Sequence, residues 1–185
     1  MIIMTDSVSF PLNRPGYSAK LLKPEDAAVL QPLYEQCTEF AFLTDGQPPS
    51  SMAAREEFDA LPDGKTSKDK YILGLFNPQN HLIGMIESIR HYPDNQTWWL
   101  GLMMLSPEQR GQGLGSEFYQ AFENWVLGQA VRQVFLSGVE ANERGLQFWK
   151  SLGFEVIRKT KPRQFGKKMH AVYVMSRVIT TTIDQ

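Results

Sequence analysis

Apolar and polar residues along the chain fall into runs of two different periods. Apolar-rich runs at Tyr17 to Leu22, Tyr71 to Phe76, Leu82 to Ile89, Gln133 to Val139, Glu155 to Lys159 and Ala171 to Val178 read as strands. Trp98 to Leu105 is apolar on both alternating faces, which predicts a central strand covered on both sides. Helical spacing joins Ala27, Leu30, Leu33 and Tyr34 behind Pro24-Glu25-Asp26, where proline and acids suit a first turn. It recurs in Ala53, Ala54, Phe58 and Leu61, with Ser50 or Ser51 as cap, and in the single stripe Leu114, Phe118, Phe122, Trp125 and Val126. Glu143 to Leu152 is a short helix that Gly153 closes at the C′ position. Asn77 to Asn80 and Tyr92 to Asn95 are turns. Residues 1–16 read as a loose N-terminal leader, and residues 17–185 as one α/β domain with a mixed sheet in the order β-α-α-β-β-β-α-β-α-β-β.

Composition narrows the class only slightly. Of 185 residues, 42% are hydrophobic and 21% charged, and the formal net charge of −1 gives no global pull toward nucleic acid or an anionic membrane. No apolar run approaches the ~18 residues of a membrane span. The N-terminus does not read as a signal peptide. The single cysteine, Cys37, excludes an internal disulfide framework and fits a reducing cytoplasm, the expected location. The three histidines show no metal-binding spacing, so no metal is expected.

The chemistry concentrates between the central strand and the stripe that begins at Leu114. Arg110-Gly111-Gln112-Gly113-Leu114-Gly115 is a glycine-rich turn opening a helix. Such a turn points its N–H groups one way, and the helix start adds about half a positive charge, so the pair forms a phosphate cradle. No Lys-Ser/Thr follows, so it is not a P-loop, and the G-x-G-x-G spacing is not the dinucleotide fingerprint.

With Arg110, Gly113 and Gly115 in the pattern [Q/R]-x-x-G-x-[G/A], and Asn142 to Phe154 as an asparagine followed by a helix ending in Leu-Gly-Phe, the chain resembles the GNAT acetyltransferase superfamily over roughly Tyr17 to Val178. The resemblance implies a mostly antiparallel mixed sheet flanked by helices, with strands four and five splayed after a bulge to hold CoA. It implies acetyl-CoA as co-substrate. Its pyrophosphate would lie on the amides of Arg110, Gly111, Gln112, Gly113, Leu114 and Gly115, with Ser116 beside them. Its pantetheine would lie along Met103, Met104 and Leu105, with Asn142 and Trp149 from the second motif. The activity implied is transfer of acetyl to a primary amine by direct attack in a ternary complex. A non-catalytic acyl-CoA-binding module, another acyl group, or an oxygen acceptor stay open, as does a homodimer.

Acetyl transfer needs a neutral amine, yet a lysine-like amine with a pKa of ~10.4 is about 99.9% protonated at pH 7. A base is therefore sought. Glu87, which interrupts an apolar strand next to the central one, is the first candidate, and His91 at the end of that strand is weaker. Tyr173, on a terminal strand, is the candidate acid or acceptor contact. Many relatives place a tyrosine at the position of Trp149, whose indole N–H donates a hydrogen bond but yields no proton at neutral pH. Trp98 and Trp99 are candidates for an acceptor wall. Cys37 is expected in the core and His170 toward solvent. The acidic group Glu35, Glu39, Asp45, Glu56, Glu57, Asp59 and Asp63 suits a cationic acceptor. The basic run Arg158 to Lys168 suits an acidic substrate group or the CoA phosphates, and the two charge groups could instead pair across a dimer interface.

Overall fold

The computed structural model describes residues 9–179. In chain order the strands are β1 (Ser9–Pro11), β2 (Ser18–Leu22), β3 (Lys70–Phe76), β4 (Leu82–Arg90), β5 (Thr97–Leu105), β6 (Gln133–Val139), β7 (Glu155–Lys159), β8 (Arg163–Phe165), β9 (Lys168–His170) and β10 (Val172–Val178). The helices are α1 (Ala27–Gln36), α2 (Thr38–Thr44), α3 (Ala53–Asp59), α4 (Leu114–Leu127) and α5 (Glu143–Ser151). Eight strands form one sheet in the order β1-β2-β3-β4-β5-β6-β10-β7, while β8 and β9 make a separate hairpin. Every pairing in the large sheet is antiparallel except β5 with β6.

Each sheet face has its own core. On one face α4 lays Leu114, Phe118, Phe122 and Val126 against Leu73, Leu75, Trp98 and Leu100, and α5 adds Leu146. On the other, Leu30 and Leu33 of α1 and Ala54 of α3 cover Ile72, Met85 and Met104. Burying a side chain of this size contributes about 1.5–3 kcal/mol. Burial on α4 extends to Glu123, whose carboxylate is held by Arg177 of β10 at 2.8 and 3.1 Å, since a buried charge must be paired. The stop at Gly153 is a Schellman motif: φ is +86°, the Gly153 N–H bonds Lys150 C=O at 2.9 Å, and the Phe154 N–H bonds Trp149 C=O at 3.1 Å.

Three elements differ from the expected order. Residues 9–16 of the expected leader belong to the fold: β1 is the sheet's edge strand, Phe10 packs on Trp125 at 5.5 Å, and Arg14 reaches the glycine loop. The first eight residues lie outside the described range. Helix α2 follows α1 after a break at Cys37, and the β8–β9 hairpin occupies the basic run before β10.

Candidate active site

A single glycine shapes the site. Across β4 and β5, Glu87 pairs with Leu102 and Ser88 with Leu100, so Gly101 is the extra residue of a β-bulge. The bulge exchanges the two faces of β5. Before it, Trp98 and Leu100 face α4; after it, Met103 and Leu105 do, and Leu102 and Met104 turn toward α1. A Cβ at position 101 would overlap Glu87 Oε2, so only glycine lets that carboxylate rest over the bulge. The parallel pairing of β5 with β6 covers only Thr97 to Leu100 against Gln133 to Leu136; past the bulge the two strands part. The Ser106 N–H bonds Ile83 C=O at 2.8 Å, which sets the phase of the antiparallel ladder. By its alternation Met104 and Leu102 bond β4, while Met103 turns its N–H and C=O into the gap and Leu105 its N–H, the Leu105 C=O being taken by Arg110 Nε and Cys37 Sγ.

That gap is one end of a cleft of about 560 Å³ between the glycine loop, β5 and α5. Gly113 caps α4 at φ +80° and Gly111 has φ +75°, so both use the left-handed region that favours glycine. Among the described residues the N–H groups of Gly111 to Ser116 find no acceptor in the protein. They are free for an anion at the helix start. Leu114 anchors the loop in the core, and Gly115 and Ser116 line the cleft. Gln112 faces outward, with its carbonyl held by Arg14 at 2.9 Å and its side chain on Glu108 C=O at 3.1 Å.

Arg110 plays a different part from the one its motif implies. Its N–H is taken by Pro107 C=O at 3.3 Å. Its guanidinium turns inward to Leu105 C=O at 2.9 Å, to Cys37 Sγ at 3.3 Å and to Glu39. It ties the loop to α1, α2 and the end of β5, so its amide does not join the cradle.

Asn142 and Trp149 stand where this cleft opens into a second of about 470 Å³ that runs over the bulge. Asn142 caps α5, its Oδ1 accepting the Gly145 N–H at 3.0 Å. Trp149 packs on Phe154 at 5.4 Å and Tyr119 at 5.8 Å. Met103 lines both clefts; Met104 is buried beneath α1 and meets only the first.

Glu87 lies on the floor of the second cleft, 5% exposed. Burial pushes its carboxyl up to about 7, against the pull of Lys70 and the Gly101 N–H. Lys70 Nζ sits 3.5 Å from Glu87, 3.0 Å from Glu57 and 2.6 Å from Ala60 C=O. Tyr34 donates to Glu57 Oε2 at 3.0 Å, and its hydroxyl is pushed up by burial and by Glu57. Glu57 belongs to the acidic group that the sequence set near a cationic acceptor, whereas Lys70 and Tyr34 were not legible as site residues, because each joins the cluster from a separate element. Gly101 carried a signal, a glycine inside an apolar strand, which often marks a bulge.

Several candidates lie elsewhere. Tyr173 does not line either cleft; it packs against the α4-side core, and its hydroxyl meets Glu140 at 3.3 Å beside Lys159. Trp98 is buried under α4, stacked on Tyr71 at 5.2 Å, and Trp99 packs between Tyr92 and Phe135, so neither forms an acceptor wall. His91 bonds Asn95 C=O at 2.8 Å, away from the cleft. Cys37 is buried, as expected, whereas His170 is buried too, its ring 2.9 Å from Thr44 C=O. Among the described residues no cluster of potential ligands for a metal occurs, and no helix is long and apolar enough to cross a membrane.

Residues 30–154 match the sequence model of the Acetyltransferase (GNAT) family. No curated protein matches the chain. Among solved structures, an acetyl transferase from Salmonella typhimurium that modifies the N-terminal serine of a 50S ribosomal subunit protein superposes with a TM-score of 0.77 at 15% identity, covering 93% of this chain and 99% of its own. An acetyltransferase from Thermus thermophilus gives 0.65 at 22% identity, covering 87% and 97%. A spermidine N-acetyltransferase chimera containing Vibrio cholerae sequence gives 0.69 at 16% identity, covering 88% and 95%.

Proposed function

The chain belongs to the GNAT acetyltransferase family, and from that premise we propose that it moves an acetyl group from acetyl-CoA to a primary amine by direct attack within a ternary complex. The observation that carries this reading is the continuity of three features: a cradle of free amides at the start of α4, an open strand edge where β5 and β6 part, and a buried carboxylate at the bulge.

The residues fit acetyl-CoA. The amides of Gly111 to Ser116 would hold its pyrophosphate, the backbone of Met103 and the Leu105 N–H would pair with the pantetheine amides as an added strand does, and Asn142 and Trp149 would flank the thiol end. The co-substrate supplies the acyl group already activated as a thioester. Glu87 acts as base: an acceptor ammonium entering the second cleft gives its proton to the carboxylate, and the neutral nitrogen becomes the nucleophile. A carboxyl near 7 is matched to that task better than an ordinary one. Backbone N–H groups turned into the gap beyond the bulge stabilise negative charge on the acyl oxygen. Trp149 cannot give up its indole proton; thiolate leaves with its electron pair, the proton that the attacking nitrogen sheds as the amide forms passes through water to the thiolate, and Glu87 returns its own proton to solvent. The reading is tested by following thiol release from acetyl-CoA across a panel of primary amines. Amine-dependent release is expected. Tight binding with the thioester left intact by every amine would instead favour a non-catalytic acyl-CoA-binding module.

A further inference from the structure

The acceptor end of the second cleft is closed by two segments far apart in sequence. The C-terminus of α2 and the β8–β9 hairpin clasp each other. The Lys167 N–H bonds Asp45 C=O at 2.7 Å, the His170 ring meets Thr44 C=O at 2.9 Å, and Lys168 Nζ lies 3.4 Å from Leu43 C=O. These contacts satisfy the last carbonyls of α2, which otherwise lack partners. Gly166, at φ +51°, is what permits the approach, since a Cβ there would collide with the Asp45 backbone. The clasp walls the cleft with Phe40 and Thr44 on one side and Phe165 on the other. The chain of an acceptor would therefore lie between two aromatic rings.

The charge inside this closed end is one-sided. Glu57, Glu87 and Asp45 line the cleft, and among the described residues no lysine or arginine does. Lys70, behind the wall, balances one of the first two, so that group is net negative by one when Glu87 is ionised. Asp45 stands apart at the clasp. Its carboxylate accepts from Thr44 Oγ1 at 3.0 Å and, among the described residues, forms no ion pair. The nearby Lys168 ammonium turns to Leu43 C=O instead. Two separated sites of negative charge therefore flank a cleft with phenylalanine walls.

Resting on the acetyltransferase reading above, we propose that the acceptor is a small linear alkyl diamine. One amine gives its proton to Glu87 and attacks the thioester, and the distant ammonium pairs with Asp45. The apolar spacer lies between Phe40 and Phe165. Acceptors that end in a carboxylate are repelled at the same place.

The test uses acceptors matched in chain length that differ only at the far end: diaminobutane, butylamine and aminobutyrate, with shorter and longer sets and a lysine-containing peptide beside them. Thiol release is measured with the full-length enzyme. The expected order of kcat/KM is diamine above monoamine above amino acid. In Asp45→Asn, which keeps the backbone contacts of the clasp, the diamine-to-monoamine ratio of kcat/KM should fall tenfold or more. Bis-trimethylammonium alkanes, which cannot be acetylated, should compete with the diamine at least tenfold more strongly than their mono-cationic counterparts, a readout that needs no variant. Equal use of monoamine or amino acid at every length, preference for the peptide, or an unmoved ratio in Asp45→Asn would overturn the diamine assignment while leaving acetyl transfer standing. Thiol release with none of the amines, while acetyl-CoA still binds, would overturn the acetyltransferase reading itself.

Discussion

Replacing Glu87 by glutamine removes the titrating group at the bulge and keeps its shape. Its magnitude follows from its surroundings. Burial moves the carboxyl from 4.5 to about 7, which at about 1.4 kcal/mol per tenfold corresponds to about 3 kcal/mol of preference for the neutral form. Because the folded value is raised, the group's contribution to stability is complete below pH 4.5 and is lost as pH rises through 7. Denaturant unfolding of the enzyme and of Glu87→Gln at matched pH should therefore show the variant gaining on the parent between those values, by up to about 3 kcal/mol. Loss of one partner of Lys70 offsets part of this gain; its ammonium keeps Glu57 and Ala60 C=O. In the kinetic arm, kcat/KM for the amine should rise to a break near pH 7 in the parent, as Glu87 of the free enzyme loses its proton. The variant should lose that break and fall by roughly 10²–10⁴-fold, the usual weight of a general base. A break that persists in Glu87→Gln, or a stability difference that is flat across the range, would refute the assignment.

Three further substitutions probe separate parts of the site. Gly113→Asp puts a charged side chain at φ +80° in the amide cradle; calorimetry should find acetyl-CoA binding weakened by roughly 100-fold or more, about 2.7 kcal/mol, and unchanged affinity would remove the loop from the binding site. Gly101→Ala places a methyl group on the Glu87 carboxylate, which should cost about 1–3 kcal/mol of stability by overpacking and lower kcat while acetyl-CoA is still bound; full activity would mean that the bulge does not position Glu87. Tyr173→Phe should leave kcat within about twofold, since the hydroxyl meets Glu140 and lines neither cleft; a hundredfold loss would return Tyr173 to the mechanism.

What was legible in the sequence is what local physics decides. Gln133–Val139 and Glu155–Lys159 are strands with the expected bounds, and α4 carries its apolar stripe from Leu114 to Val126. The loop glycines and the stop at Gly153 are short-range devices and read directly. Glu87 stood out because an acid in an apolar strand demands a reason. The parts that were not legible depend on contacts between distant segments. Arg110 fits the motif by spacing, but only the approach of Cys37 and Glu39 reveals its inward turn. β1, β8 and β9 are three residues each, too short for alternation to register. His170 is polar and sits in a basic run, so it read as exposed, yet the carbonyl at the end of α2 draws it into the protein. The tryptophan pair failed for a related reason: the bulge at Gly101 switches the faces of β5, so Trp98 belongs to the α4 core and not to the cleft.

In the proposed reaction one cleft holds acetyl-CoA and passes its acetyl group directly to an amine. A rapid-quench single turnover tests it most directly, with enzyme in excess over acetyl-CoA and intact-protein mass recorded before and after the amine is added. Unmodified protein and intact thioester are expected before the amine, then one acetylated amine and one free thiol per acetyl-CoA. An acetylated protein that forms before the amine arrives, or a thioester that survives it, would contradict direct transfer in this cleft.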